Sequence, residues 1–261
     1  MLKNKTVLLT GASGGIGSGI ATRLSEQGAL LLLVGRDGVG LQALNTRLGG
    51  QHQCIQADIS KEEDRILILQ QCQSKGLDIL INNAGIGQFS LFEKLSADEI
   101  NAILNINLTS TLLLSQRLLP ELLKRNESQL INIGSILGSI GFPGSTVYCA
   151  SKFGLRGFTQ ALRRELLDTS LSVRYFAPRA TKTKINNDTV VAMNNEIGTK
   201  MDTATQVVDE FMTFLNARSA QYYLGWPEKL FVKINSMLPR IVEASILKQL
   251  PIVKRYLKQG T

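Results

Sequence analysis

Residues 5–27 read KTVLLTGASGGIGSGIATRLSEQ, and the order of residue types in them sets the architecture. Lys5–Thr10 is a short run of leucine and β-branched residues, the pattern of a buried strand. TGASGGIG follows at 10–17 and opens a helix that runs to about Gln27. The glycines at 11, 15 and 17 allow a tight turn and a close approach of backbone to a ligand. The helix N-terminus beyond them presents unpaired N–H groups and the positive end of its dipole, a seat suited to a pyrophosphate. A ligand-free strand-to-helix turn uses much the same residues.

The same alternation continues along the chain. Ala29–Val34 reads as a second strand and ends in Gly35-Arg36-Asp37. Where a dinucleotide binds, this strand end meets the adenosine ribose; an acid there suits NAD and an arginine suits the 2′-phosphate of NADP. Gly35 leaves the acid position empty and Arg36 supplies a planar cation, which favours NADP. Asp37 is either the cap of the next helix or a repelling charge. A third strand, His52–Ala57, ends at Asp58-Ile59, and Ser60-Lys-Glu-Glu63 has the form of a capping box. Asp58 either contacts an adenine amino group or ends the strand. Leu77–Ile81 is a fourth strand, followed by Asn82-Asn83-Ala84-Gly85. Small and amide residues there suit a cofactor crossing the sheet, or an ordinary turn. Ser96-Ala-Asp-Glu99 caps another helix, and a longer helical run over Asn105–Lys124 contains Asn107, which mid-helix often bonds locally or bends the helix.

Residues 129–134 (QLINIG) form a fifth strand that ends at Ser135. From about Ser145 the apolar residues Val147, Phe153, Phe158, Ala161, Leu162 and Leu166 recur at helical spacing. Tyr148 and Lys152 are therefore i and i+4 on one face, with Cβ atoms roughly 6 Å apart. A phenol with an ordinary pKa of about 10 is a poor acid–base group near neutrality. An ammonium one turn away is expected to favour the phenolate, and a serine hydroxyl at the neighbouring strand end can hold the same substrate oxygen. Ser172–Ala177 is a sixth strand closed by Pro178, Thr203-Ala-Thr-Gln206 caps a helix to about Ala217, and Gln221–Leu224 is a short last strand. Strands alternating with helices predict an α/β fold: a doubly wound parallel sheet of about seven strands, helices on both faces.

Composition excludes other classes. The chain has 261 residues, 44% hydrophobic and 19% charged, which fits one large folded domain. Cys54, Cys72 and Cys149 have no metal-ligand spacing, no metal site is read, and a cytoplasmic setting suits free thiols. The single histidine, His52, makes a metal site or a Ser-His-Asp triad improbable. No signal peptide is read, since Leu8–Thr10 run straight into the glycine turn, and no stretch is apolar for the eighteen or so residues a spanning helix needs. The net charge of +8 is not gathered into an aromatic-interleaved patch, so no nucleic-acid partner is expected.

TGASGGIG at 10–17, Asp58, NNAG at 82–85, Asn107, Ser135, Tyr148-x3-Lys152 and the Pro178 segment together resemble the short-chain dehydrogenase/reductases, over roughly residues 5 to 225. The resemblance implies a Rossmann-type sheet and hydride transfer between NADP(H) and a carbonyl or alcohol, NADPH preferred and NAD possible. It implies that Tyr148 is the general acid–base, Lys152 binds the nicotinamide ribose and depresses the tyrosine pKa, Ser135 holds the carbonyl, and Asn107 holds a relay water. It also implies cofactor contacts from Gly11, Ser13, Gly15, Ile16, Gly17, Arg36, Asp58, Ile59, Asn83, Ala84, Gly85, Pro178 and Thr183, beside Tyr148 and Lys152, and a homodimer or homotetramer. The chain departs from the family's usual Pro-Gly with Pro178-Arg179, a cation that either turns to solvent or meets an anionic substrate.

Residues 1–225 are thus expected to be the catalytic domain and 226–261 a basic amphipathic extension of it. Between residues 228 and 258 seven Lys or Arg stand against two Glu, a net charge of +5. Leu230, Ile234, Met237 and Ile241 share one helical face, and Phe231, Leu238, Val242 and Ser245 another, with Pro239 and Pro251 expected to cut the stretch into short helices. Such a segment either packs over the active-site mouth or a partner subunit, or makes peripheral contact with the inner membrane surface. Either way its apolar face suggests a hydrophobic, acyl-chain-bearing substrate. The alternative function is a non-catalytic NADP-binding sensor or membrane-surface scaffold.

Overall fold

The computed structural model describes residues 2–183 and 185–259, so Met1, Lys184 and the chain's last two residues lie outside the described residues. The elements in chain order are β1 (Thr6–Thr10), α1 (Gly15–Glu26), β2 (Leu30–Gly35), α2 (Gly38–Arg47), β3 (Gln53–Gln56), α3 (Glu62–Lys75), β4 (Ile79–Asn82), α4 (Ala97–Leu104) and α5 (Ser110–Leu123). They continue as β5 (Ser128–Ile133), α6 (Thr146–Glu165), β6 (Leu171–Ala177), β7 (Thr181–Lys182), α7 (Asp188–Glu196), β8 (Asp202–Thr203), α8 (Ala204–Asn216), β9 (Gln221–Tyr223), α9 (Glu228–Met237) and α10 (Pro239–Gln259).

The main sheet has seven strands in the order β3-β2-β1-β4-β5-β6-β9, and every pairing is parallel. Alternate residues explain why it is covered on both sides. Val7, Leu9, Leu31, Leu33, Ile79 and Ile81 pack with Ile20 and Leu24 of α1 and Phe211 and Phe214 of α8. Leu8, Leu32, Leu80 and Leu130 pack on the opposite face with Ile68 and Cys72 of α3 and Leu114, Leu118 and Leu122 of α5. A strand apolar at both parities has no face to show to water, which forces a helical layer on each side.

Local expectations meet three different outcomes. The capping boxes at Ser96/Glu99 and Thr203/Gln206 form, and Asp37 caps α2 by accepting from Gly40 N at 2.9 Å. The box at Ser60 does not: α3 starts at Glu62 with Lys61, not Ser60, in the cap position and no side-chain cap, and Ser60 Oγ instead donates to Asp58 Oδ1 at 2.7 Å. Three acids in the first turn of α3 supply the charge that its dipole favours. Pro251 also fails to break its helix. It lies inside α10 and is exposed, as is Leu247, the residue whose carbonyl loses its N–H partner.

The C-terminal helices do not bury the two faces read from the sequence. The turn at Leu238–Pro239 interrupts the phase, so Ile234, Phe231 and Val242 pack inward while Leu230, Met237, Leu238 and Ile241 stay exposed. Further along, Val253 and Leu257 of α10 join Met193 of α7, with Phe89, Phe142 and Val190 packed against them. The Arg255–Glu196 ion pair and the Tyr256 hydroxyl, which donates to Glu196 at 2.9 Å, tie α10 to the end of α7.

Candidate active site

Strand order reverses direction between β1 and β4, and a crevice of about 590 Å³ opens there, at the carboxyl ends of the strands. It is lined by Gly11, Ser13, Gly15, Ile16, Gly17, Arg36, Asp58, Ile59, Asn83, Ala84, Gly85 and Thr183, so nearly all the cofactor contacts expected from the sequence meet in one place. Gly11 sits at φ +64, and a Cβ there would lie 3.0 Å from Ala84 Cα. The turn is clamped from below: Thr10 Oγ1 accepts from Asn83 N and Ala84 N, and Asn83 Nδ2 donates to Thr10 O and Gly11 O. No side chain caps α1 and no acid stands in its first turn, so its N-terminus is left for an outside anion.

Arg36 is exposed at the rim, beyond Gly35. Burial opposes ionisation of Asp58, yet hydrogen bonds from Ser60 and the charges of Arg36 and Lys61 hold its carboxyl below the usual range. Asp58 is thus an ionised acceptor beside the cation. A glycine-floored cradle, a free helix N-terminus, an acceptor and a rim arginine fit an anionic dinucleotide.

A second cavity, of about 330 Å³, adjoins the first and shares Ile16, Asn83, Thr183 and Ile185 with it. Ser135, Tyr148, Lys152 and Pro178 line it, and Phe89, Leu137, Phe142, Val190 and Met193 give it apolar walls. The Ser135 hydroxyl accepts from Leu137 N at 3.1 Å and stands close enough to the Tyr148 phenol to favour its ionised form. Lys152 Nζ lies 5.7 Å from the centroid of the Tyr148 ring and donates to Ile133 O at 3.1 Å.

The expected depression of the phenol is not what this environment produces. Desolvation, against the opposing effect of the Ser135 hydroxyl, pushes Tyr148 up to about 12, and burial pushes Lys152 down to about 8. The physical reason is that the i,i+4 pair stands in the cavity wall, Lys152 buried and Tyr148 half-buried, where each charged form loses hydration. Tyr148 is therefore held as a neutral proton donor, beside an ammonium that gives up its proton more easily than a surface lysine.

The supports of this group come from far along the chain. Gln88 Oε1 accepts from Val147 N at 3.2 Å and Tyr148 N at 3.3 Å, capping the first turn of α6 in place of a local side chain. The buried Tyr175 hydroxyl accepts from Ser135 N and donates to Ser135 O, both at 3.3 Å. Gly134 and Gly138 make room for that ring, since a Cβ at either would enter it. Thr10, Gln88 and Tyr175 are site residues that sequence reasoning missed. Thr10 stands inside the quoted glycine motif, whereas nothing near Gln88 or Tyr175 in sequence marks them.

Asn107 lines neither cavity. It sits in a π-helical turn, Asn105–Thr109, between α4 and α5. Its Oδ1 accepts from Ile86 N at 2.8 Å, and its Nδ2 donates to Ile86 O at 2.9 Å and to Ser151 Oγ at 3.2 Å. Ser151 Oγ in turn donates to Tyr148 O. The side chain thus ties the end of the NNAG loop to the helix that carries Tyr148. Arg179 does not turn to solvent: it lines the second cavity beside Pro178, and its largely covered side chain is forked onto Asp202 at 2.6 and 2.7 Å and bonded to Glu228 at 3.0 Å, so these two acids already balance its charge.

The model of the short chain dehydrogenase family matches residues 5–194. Nodulation protein G of Rhizobium sp. (strain N33) is 34% identical over 231 residues, which covers 86% of this chain and 94% of that protein. The 3-oxoacyl-(acyl-carrier-protein) reductase of Haemophilus influenzae is 35% identical over 179 residues, 68% of this chain and 74% of its own. Among solved structures, a short-chain dehydrogenase from Sphingobium yanoikuyae in complex with NADPH superposes with a TM-score of 0.79 at 26% identity, covering 92% of this chain and 95% of that one. The matched span holds the glycine turn, the NNAG loop and Ser135, Tyr148 and Lys152 in one continuous segment. On that agreement of matched length with site geometry, the chain belongs to the short-chain dehydrogenase family.

Proposed function

We propose that this protein is an NADPH-dependent reductase of hydrophobic, acyl-chain-bearing carbonyl compounds. The observation that carries the reading is the meeting of Ser135, Tyr148 and Lys152 in an apolar-walled pocket that opens directly into the glycine crevice. Bound NADPH supplies the hydride; the remaining chemistry is proton delivery and positioning. Ser135 holds the substrate oxygen, and Tyr148, neutral at physiological pH, passes its proton to that oxygen as the hydride arrives. Lys152 then returns a proton to the phenolate. With the side chain of Asn107 occupied by Ile86 and Ser151, its part is to hold α6 in place, and any relay water falls to main-chain groups of the widened turn. Gly11, Gly15 and Gly17 carry the pyrophosphate, Asp58 and Ile59 the adenine end, and Pro178 and Thr183 the nicotinamide end. The relatives named as 3-oxoacyl reductases and the complex with NADPH support this assignment of substrate class and cofactor.

The test is kcat/KM against 3-oxoacyl thioesters, ketones and aldehydes of graded length, with both cofactors. The apolar walls lead us to expect a rise of about fourfold per methylene added until the pocket is filled. Arg36→Ala should raise the KM for NADPH about 10- to 100-fold, the loss of a charged hydrogen bond to the 2′-phosphate, and leave that for NADH unchanged. No oxidation of NADPH with any carbonyl would sink the reading. We place residues 226–261 in the same domain as an extension that backs the pocket, and the protein in the cytoplasm, which suits the free thiols of Cys54, Cys72 and Cys149. We also read a homodimer or homotetramer formed through α5 and α6, whose outer sides leave Leu113, Leu123 and Phe153 exposed. A monomeric mass by light scattering at micromolar concentration would refute that assembly.

A further inference from the structure

The helical pair α9–α10 has an inner side, where Val232, Val242, Val253 and Leu257 are buried. Its outer side is unusual in being cationic and apolar together. On α9, Leu230, Lys233 and Met237 recur along one exposed strip, and on α10 Arg240, Glu243, Leu247, Pro251 and Lys254 do the same, with Lys248 beside them, so four cations stand against one exposed acid. Lys233, Arg240, Lys248 and Lys254 have no carboxylate partner among the described residues. The acids of the two helices do not offset them: Glu228 is spent on Arg179, which leaves Glu243. At the corner between the helices Met237 is 79% exposed, and Leu238 and Ile241 project beside it.

We propose that this face is a docking surface for an anionic lipid bilayer. Charge complementarity selects the occupant. A second copy of the chain, docked by the same face about a twofold axis, would set one cationic strip against another. An acidic protein would meet the cations but would leave no use for unbranched and branched apolar chains projecting from a convex corner. A lipid interface takes both: Met237, Leu238 and Ile241 enter the acyl boundary while the lysine stems lie along it and keep their ammonium groups among the phosphates. No described helix is long and apolar enough to cross a membrane, so the contact is peripheral. The opposite side of α10 backs the wall of the carbonyl pocket, so docking would bring that wall near the membrane. The inference concerns the outer face alone and stands or falls separately from the reductase reading.

The experiment is flotation of the full chain with phosphatidylcholine vesicles, with and without phosphatidylglycerol. Trp226, the sole tryptophan, is 69% exposed at the start of α9 and reports locally by its fluorescence. Binding is expected to the phosphatidylglycerol vesicles and to fade as salt shortens the Debye length from about 10 Å at 0.1 M to about 3 Å at 1 M. The double variant K248E/K254E should lower that partition about 100-fold or more while reductase activity on a water-soluble carbonyl stays unchanged. M237Q/I241Q should keep salt-sensitive recruitment but lose the shift in Trp226 emission. Equal binding to both vesicle types, binding untouched by K248E/K254E, or a dimer that those charge reversals dissociate would each overturn the proposal.

Discussion

Replacing Tyr148 by Phe will lower the rate of carbonyl reduction by about 10²- to 10⁴-fold, the usual share of a positioned general acid, and leave NADPH affinity within about twofold of wild type. The substitution removes one oxygen and keeps the ring. Gln88 caps the α6 backbone through Val147 N and Tyr148 N, so the helix start does not depend on the phenol. Single-turnover NADPH oxidation and a cofactor titration measure the two quantities. A fall in affinity matching the fall in rate would mean that the phenol only shapes the cofactor site. The pH dependence follows from the same pair. Lys152, pushed down to about 8, is charged below that pH and loses its proton above it, so the ability to restore the Tyr148 proton declines as pH rises through about 8. Reduction should therefore fall on the alkaline side. Oxidation of the alcohol needs the phenolate, and with Tyr148 raised to about 12 it should keep climbing toward alkaline pH. A reduction rate flat from neutrality to strongly alkaline pH would contradict the assignment of Lys152 as proton source.

Gly17→Ala is expected to cost about 1.4–2.8 kcal/mol of the bound state, an NADPH affinity about 10- to 100-fold weaker, with a lower Tm. A Cβ at this position would stand 2.2 Å from Gly11 O and 2.8 Å from Asn83 Nδ2. Both are parts of the clamp between the glycine turn and the NNAG loop, and one is main chain, so neither can swing aside. The first turn of α1 must then move away from the crevice, taking with it the N–H groups offered to the pyrophosphate. Gly157→Ala makes the comparison: it lies exposed in the middle of α6 with nothing within 4 Å of its Cβ. There the added methyl should stabilise the protomer's helix by up to about 1 kcal/mol, as expected for a helix interior, and cofactor binding should stay unchanged even if contacts between subunits on this face adjust. Fluorescence titration of NADPH and thermal melts read both variants. Unchanged cofactor binding by Gly17→Ala would mean the turn is not the phosphate seat.

Arg179 bears on how the substrate pocket is held. Its fork onto Asp202 secures β8, which pairs with β7, and its third bond reaches Glu228 at the start of α9. The two strands bracket the segment that carries α7, a wall of the pocket. The residue that stands where the family has glycine lines the cavity and also fastens the segment after Pro178 to the start of the C-terminal helices. A buried pair of this kind is weak evidence of net stability, since each charge has lost its hydration. Removing one partner would nevertheless leave the others buried and unmatched.

The residue order alone was enough for the parallel sheet, the glycine turn, the caps at Ser96 and Thr203, and the pairing of Tyr148 with Lys152 on one helical face. These depend on repeats of two and 3.6 residues and on neighbours within one turn, which are properties of the backbone and are written locally. Tertiary packing decided the rest. The first turn of α3 began one residue later than the Ser60 box required, with Lys61 in the cap position, and the Ser60 hydroxyl serves Asp58. The acidity of Tyr148 turned on how much water reaches it, and enclosure reversed the direction that the i,i+4 spacing suggested. Gln88 reaches Tyr148 across sixty residues of chain, and Tyr175 reaches Ser135 across forty, distances over which no local pattern operates. The tail shows the same division: its charge and apolar spacing were plain in the sequence, but which chains face α7 and which face outward depended on the phase break at Leu238–Pro239 and on the surfaces available to pack against.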